Sequence, residues 1–308
     1  MLSRTLSLGI LVLTVLCGVL LYRSAQHPRM KPIAVMIENH EDARPHQKGL
    51  EDALMIQEFL VEGFISRFVA LFDAQALPST IGPVRSLRPY FLDGIAPWVR
   101  TVFHAGGSPE ALDRVKHSGE FYALNLLYFD DEHGSLRDEN VAPPHNLFLK
   151  KSFLKELLSD VPEHFLPEVE WPPFPIGVTE GGESATTITL NFFSTLHNVS
   201  YEYLPLSASY KRKNGATVSN AQPSNLLLLE VPIDNIGEYG RLFMTLTGAG
   251  NAKVFHSGKV WEGRWSRGSV TDPFRITDAT GNDILFTRGQ IWVTVLPTFE
   301  RVSWEVLP

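Results

Sequence analysis

The sequence predicts an α+β / α/β protein: an N-terminal α/β domain, then a mostly β C-terminal domain, behind a single N-terminal membrane-spanning or signal segment. Three observations carry this. Leu6 to Tyr22 is an uncharged, mostly apolar run flanked by Arg4 and Arg23. Apolar strand-like runs alternate with helix-like runs through about residue 160, which is the α/β pattern. Beyond Gly177 the runs become short and β-rich, with turns such as Asn214-Gly215 and Gly281-Asn282 between them.

The implied plan is 1–31 as anchor or signal plus linker, 32–161 as the α/β domain, 162–180 as a Pro/Gly-rich connection and 181–308 as the β domain. With 308 residues, 44% hydrophobic and 20% charged, the chain can build ordinary globular cores. A net charge of −7 argues against a nucleic-acid partner, which calls for a basic face. The only cysteine, Cys17, lies in the apolar run, so no intrachain disulfide is expected. The run reads first as an uncleaved anchor, with the bulk of the chain extracytoplasmic. Ser24-Ala25-Gln26 is a poor cleavage site, and Leu16 precedes Cys17 where a lipoprotein signal takes a small residue.

Pro32 to Asn39 reads as a buried strand ending in polar residues, and His40 to Gly49 as a loop. Glu51 to Glu62 reads as helix running into strand, Phe64 to Phe72 as strand, and Arg88 to Ala96 as helix after the Gly82-Pro83-Val84-Arg85 turn. Thr101 to His104 is a short strand. Ser108, Pro109 and Glu110 have N-cap, first-position and first-turn chemistry for a helix to His117. Asn125 to Asn146 looks irregular, including Asp130-Asp131-Glu132-His133, and Phe148 to Leu158 looks helical. Pro162, Pro167, Pro172, Pro173 and Pro175 mark the connection. Strands are expected over 186–193, 199–204, 226–231 and 241–247.

Charged groups collect beside these turns. Arg44, Arg67, Arg85, Arg88 and Arg137 sit near apolar segments, where guanidinium groups need anionic partners. Glu38, Glu58, Glu62 and Asp138 are similarly placed. On a helix over 51–62, Glu58 and Glu62 would share a face. Glu62, among apolar neighbours, would have a raised pKa suited to a general acid, with Glu38, Glu58 or Asp138 as base, nucleophile or charge stabiliser. The competing reading makes these structural ion pairs. His104, Gly106, Gly107 and Ser108 form a strand-to-helix turn suited to an anion; Ser108 reads as a cap rather than a nucleophile, since Gly-x-Ser-x-Gly is absent. His145, held after Pro143-Pro144, is a candidate acid/base, with Asn146 beside it as a ligand donor. His104, His145 and Asp138 lack a metal-ligand spacing, so neither metal nor cofactor is expected. Trp261, Trp265 and Trp292 suit either a sugar-binding face or simple packing.

Several ordered motifs resemble the YerB-like lipoprotein family (DUF3048). They are Pro32 to Asn39 with Ala43-Arg44-Pro45, Val61-Glu62-Gly63 with Arg67, Gly82-Pro83-Val84-Arg85-Ser86 with Arg88, His104 to Ser108, Arg137-Asp138 and Pro144-His145-Asn146. Tyr210 to Gly215, Thr247 to Gly250, Gly263-Arg264-Trp265 and Gly289 to Trp292 extend the resemblance to the second half. It implies an envelope protein with separate N- and C-terminal domains and no defined reaction. The carboxylates and arginines give two functions as expectations: cleavage of an envelope glycan, peptidoglycan first, or non-catalytic binding of an anionic envelope polymer or an envelope protein. The membrane is met through the N-terminal segment.

Overall fold

The computed structural model describes residues 28–129, 137–192, 194–235 and 240–306. The expected anchor with Cys17, and the run Asp130-Asp131-Glu132-His133, lie outside these residues. Among the described residues no helix is long and apolar enough to cross a membrane.

The architecture is mostly β, with few helices. In the N-terminal half, β1 (Pro32–Glu38), β2 (Met55–Leu60) and β3 (Ser66–Asp73) are followed by α1 (Pro89–Ile95), β4 (Thr101–His104), α2 (Pro109–His117), β5 (Tyr122–Asn125) and α3 (Lys151–Ser159). The C-terminal half adds β6 (Thr187–Leu190), β7 (Val199–Leu204), β8 (Ser209–Asn214), β9 (Asn225–Glu230), β10 (Gly248–His256), β11 (Lys259–Arg267), β12 (Ile291–Leu296) and β13 (Val302–Glu305). Both halves share one 11-stranded sheet. Its order is Glu183–Ser184, β11, β10, β9, β12, β2, β3, β1, β4 and β5, with Arg275–Thr277 paired to β11. The seam between halves is the parallel pair β12–β2, where Trp292 lies opposite Ile56 and Thr294 opposite Glu58. A second sheet of five strands runs Thr217–Val218, β8, β7, β6, β13.

The strand β1 is buried along its whole length, antiparallel to β3 and parallel to β4. Strands covered on both faces read as unbroken apolar runs, and Pro-Ile-Ala-Val-Met-Ile is one. The same rule corrects the helix expected over 51–62. Met55–Leu60 is a fully buried central strand, so its sequence carries no alternation to separate it from a helix. Its period of two survives in the contacts. Gln57 donates to the Gly94 carbonyl of α1 at 3.0 Å, whereas Glu58 faces the five-stranded sheet. Glu58 and Glu62 therefore share no helical face.

The alternation of strand and helix expected in this half is kept over α1–β4–α2–β5, with β4 and β5 parallel. Around β1, β2 and β3 it gives way to antiparallel pairing. Within the expected strand 241–247, pairing is confined to Leu242–Met244, against Ile233–Asn235.

The second sheet packs over the first through Arg212, whose guanidinium lies 4.4 Å from the Trp292 ring centre and 5.2 Å from that of Phe68. Trp292, Trp265 and Trp261 are buried at 0%, 1% and 8% exposure, so they pack the core and form no sugar-binding face. Each such side chain taken from water contributes about 2–3 kcal/mol of transfer free energy.

Candidate functional site

The polar turns at 38–44, 82–88, 104–108 and 137–146 gather along one edge of the large sheet. Backbone bonds lock them there. Arg85 N–H donates to the Met36 carbonyl at 2.8 Å, Ala105 N–H to Arg85 at 3.0 Å, Leu87 N–H to Gly106 at 3.0 Å and Val84 N–H to Leu147 at 2.7 Å. Gly82 has to be glycine: its φ is +150°, and a Cβ there would meet the Leu147 carbonyl oxygen at 2.9 Å.

At this edge Glu38, the last residue of β1, holds two partners. Arg85 Nη2 lies 2.7 Å from Oε1, and His145 Nδ1 lies 2.9 Å from Oε2. A carboxylate only accepts, so His145 carries a proton on Nδ1, and the neutral ring then has its lone pair on Nε2. His145 also stacks on His40, ring centres 5.4 Å apart at 18°. The glutamate is 4% exposed, so the edge is a partly buried polar corner.

Glu62 belongs to a neighbouring corner. Arg88 meets it bidentately, Nε to Oε1 and Nη2 to Oε2, both at 2.8 Å. Burial by itself would raise the Glu62 carboxyl, but the Arg88 hydrogen bond and charge outweigh it and hold the group below its ordinary value. The raised pKa expected for a general acid is therefore corrected. Arg67 stands between the two corners. It is opposite Glu38 in the β1–β3 register and donates to the Ser86 carbonyl at 3.0 Å. Burial, with Arg88 adding repulsion, lowers its pKa to about 10.

The remaining candidates have structural partners. Glu58 is 0% exposed and paired with Arg212, whose Nη2 lies 2.8 and 3.0 Å from its two oxygens. Ser66 Oγ and Trp292 Nε1 also donate to it, at 2.6 and 2.9 Å, which leaves it no solvent path as a base. Arg44 is 5% exposed and ties the halves together, donating to the Leu196 carbonyl and lying 2.8 Å from His197 Nδ1. His104 is 1% exposed, its Nδ1 bonded to the Gly106 carbonyl at 2.8 Å, and burial depresses its pKa. Ser108 is the N-cap of α2, accepting from Ala111 N–H at 3.3 Å. Gly106 needs its φ of +70°, and Gly107 packs on Leu112 and Leu87. Arg137 donates to Asn146 Oδ1 at 2.8 Å. Asp138 accepts from Asn140 and pairs with Lys48 at 3.2 Å; these contacts, led by the Asn140 backbone bond, hold its pKa down and keep it ionised.

Sequence reasoning missed two groups. Arg212 was signalled by the alternation in Ser209–Asn214, where Tyr210, Arg212 and Asn214 point inward. His40 and Asp42, immediately beyond β1, lie with His145 so that one ligand atom from each is within 4.8 Å of the others.

Residues 20–163 match the family described as "Protein of unknown function (DUF3048) N-terminal domain", and residues 188–293 match "Protein of unknown function (DUF3048) C-terminal domain". The chain is 27% identical over 286 residues to the Bacillus subtilis (strain 168) protein named "Putative lipoprotein YerB", covering 89% of this chain and 83% of that one. The crystal structure of YerB protein from Bacillus subtilis superposes with a TM-score of 0.79 over 90% of this chain and 94% of that chain, at 27% identity. The fold and both matched segments agree: this chain belongs to the DUF3048 family and carries its N- and C-terminal domains in order.

Proposed function

We propose that this chain is an envelope protein, attached to the membrane and facing out of the cytoplasm, that acts on an anionic envelope polymer, peptidoglycan first. The attachment is carried over from the lipoprotein name of its relative and from the apolar run at Leu6 to Tyr22. The observation that supports a chemical role is the Glu38–His145 pair. The carboxylate orients the imidazole through Nδ1, and Nε2 keeps a lone pair. In a bound glycan that atom takes a proton from water as the water oxygen bonds to the anomeric carbon and the glycosidic C–O bond breaks, and the proton passes on to the departing oxygen. The proton-moving role thus passes from Glu62 to His145, because Glu62 is neutralised by Arg88.

A non-catalytic reading is favoured by one observation: Arg85 and Arg88 are each paired with one of the protein's own carboxylates, Glu38 and Glu62, so the charge of each guanidinium is already met within the chain. Incubation of the full chain, purified in detergent, with peptidoglycan separates the readings. Cleavage gives new muropeptides by mass spectrometry, abolished by His145→Ala and retained by His117→Ala. Capture of the polymer without release overturns the catalytic reading.

A further inference from the structure

We propose that His40, Asp42 and His145 form a binding site for one divalent transition-metal ion of the zinc class, with Glu38 as the partner that orients His145. This rests on the reading of the same corner and limits it: with an ion bound, the His145 Nε2 lone pair holds the metal, so its proton-accepting role belongs to the metal-free chain, and metal binding is measurable without any polymer.

The donor chemistry fits in four respects. First, one ligand atom from each of the three residues lies within 4.8 Å of the other two, close enough for side-chain rotation to bring them around one ion. Second, both imidazoles offer a lone pair. His145 gives its Nδ1 proton to Glu38 Oε2 at 2.9 Å and leaves Nε2 free. His40 Nδ1 accepts from Asp42 N–H at 3.3 Å, so it is the unprotonated nitrogen of that ring, and an ion would take this lone pair in place of that long bond. Third, each ring has a carboxylate on its other nitrogen: Glu38 on His145, and Glu41 Oε2 3.4 Å from His40 Nε2. A ligating histidine characteristically donates its second N–H to such a partner, which fixes the ring and strengthens the ligand. Glu41 Oε2 is itself buried without a hydrogen-bond partner, and protonation of His40 at Nε2 would satisfy it.

Fourth, the charge balance favours a dication. Glu38, Glu41 and Asp42 surround the rings; among the described residues Arg85 is bound to Glu38 at 2.7 Å and Arg44 offsets part of the Glu41 charge, which leaves the three carboxylates in excess of the guanidinium groups beside them. Two histidines and one carboxylate, with coordination positions left for water or substrate, suit zinc and its neighbours rather than calcium or magnesium, which take oxygen donors. Linear spacing hides the set, because His145 joins His40 and Asp42 only through the fold.

Titration of Zn2+ into the EDTA-treated full chain in detergent, followed by calorimetry and by thermal melting, tests the site. The expected result is one ion per chain and a zinc-dependent rise in melting temperature. His145→Ala and Asp42→Asn abolish both, and Glu38→Gln weakens binding roughly 10–100-fold, the usual cost of losing such a partner. Should His145→Ala fail to fold, Asp42→Asn on the loop carries the test alone, and His117→Ala is the control. Absence of stoichiometric binding, or binding unchanged in Asp42→Asn and His145→Ala, overturns the site. Muropeptide release is scored separately. Release without zinc binding sinks the metal and leaves the catalytic reading standing; zinc binding without release does the reverse.

Discussion

Replacing Arg212 by methionine tests the junction between the two sheets. The guanidinium is 1% exposed and makes two contacts to Glu58, at 2.8 and 3.0 Å, and one to Tyr201 at 3.2 Å. Methionine roughly keeps the volume, so little cavity forms, and the cost comes from Glu58. Its carboxylate would remain at 0% exposure with only the Ser66 hydroxyl and the Trp292 N–H to stabilise it. Breaking one side of a buried pair typically costs about 3–5 kcal/mol. For a domain of this size that is roughly 2–4 °C of Tm per kcal/mol, a fall of about 6–20 °C. Urea unfolding, followed by both tryptophan fluorescence and circular dichroism, reads the change. The double variant Glu58→Leu with Arg212→Met removes both charges and should recover most of the loss, since apolar replacement of a whole buried pair is often neutral. A single variant within about 1 kcal/mol of the parent would refute the argument, as would a double variant no better than the single.

Other outcomes follow from the same geometry. Arg44→Ala removes the contacts to Leu196 and His197 that join the halves and should cost about 2–3 kcal/mol in urea unfolding, the range for hydrogen bonds from a charged group. Ser108→Ala deletes the cap of α2 and should cost about 1 kcal/mol, while Ser108→Asp should restore it. Glu62 has a folded pKa depressed by Arg88, so its contribution is present above the ordinary carboxylate range and is lost as pH falls through the lower folded value. Glu62→Gln should therefore flatten the acid limb of the stability–pH curve and leave muropeptide release intact; loss of release with unchanged stability would restore Glu62 to the chemistry.

Much of the edge was legible in the sequence because its signals are local. Ser108-Pro109-Glu110 announces a helix start, and the run 32–37 announces a buried strand. The polar turns follow strands, and in the fold they gather on one sheet edge. The ordered motifs sufficed to identify the family. Met55–Leu60 was misread because a strand covered on both faces loses its alternation. The sequence by itself therefore determined the family, the mostly β second half and the turns that carry the charged residues. Tertiary structure alone decided which charges meet. Glu58 finds Arg212 across 154 residues and Glu38 finds His145 across 107. Such pairings depend on sheet register and on the crossing of two sheets, which no local spacing records. They also paired Glu62 with Arg88, which lowers its pKa, and put two histidines and an aspartate in one corner.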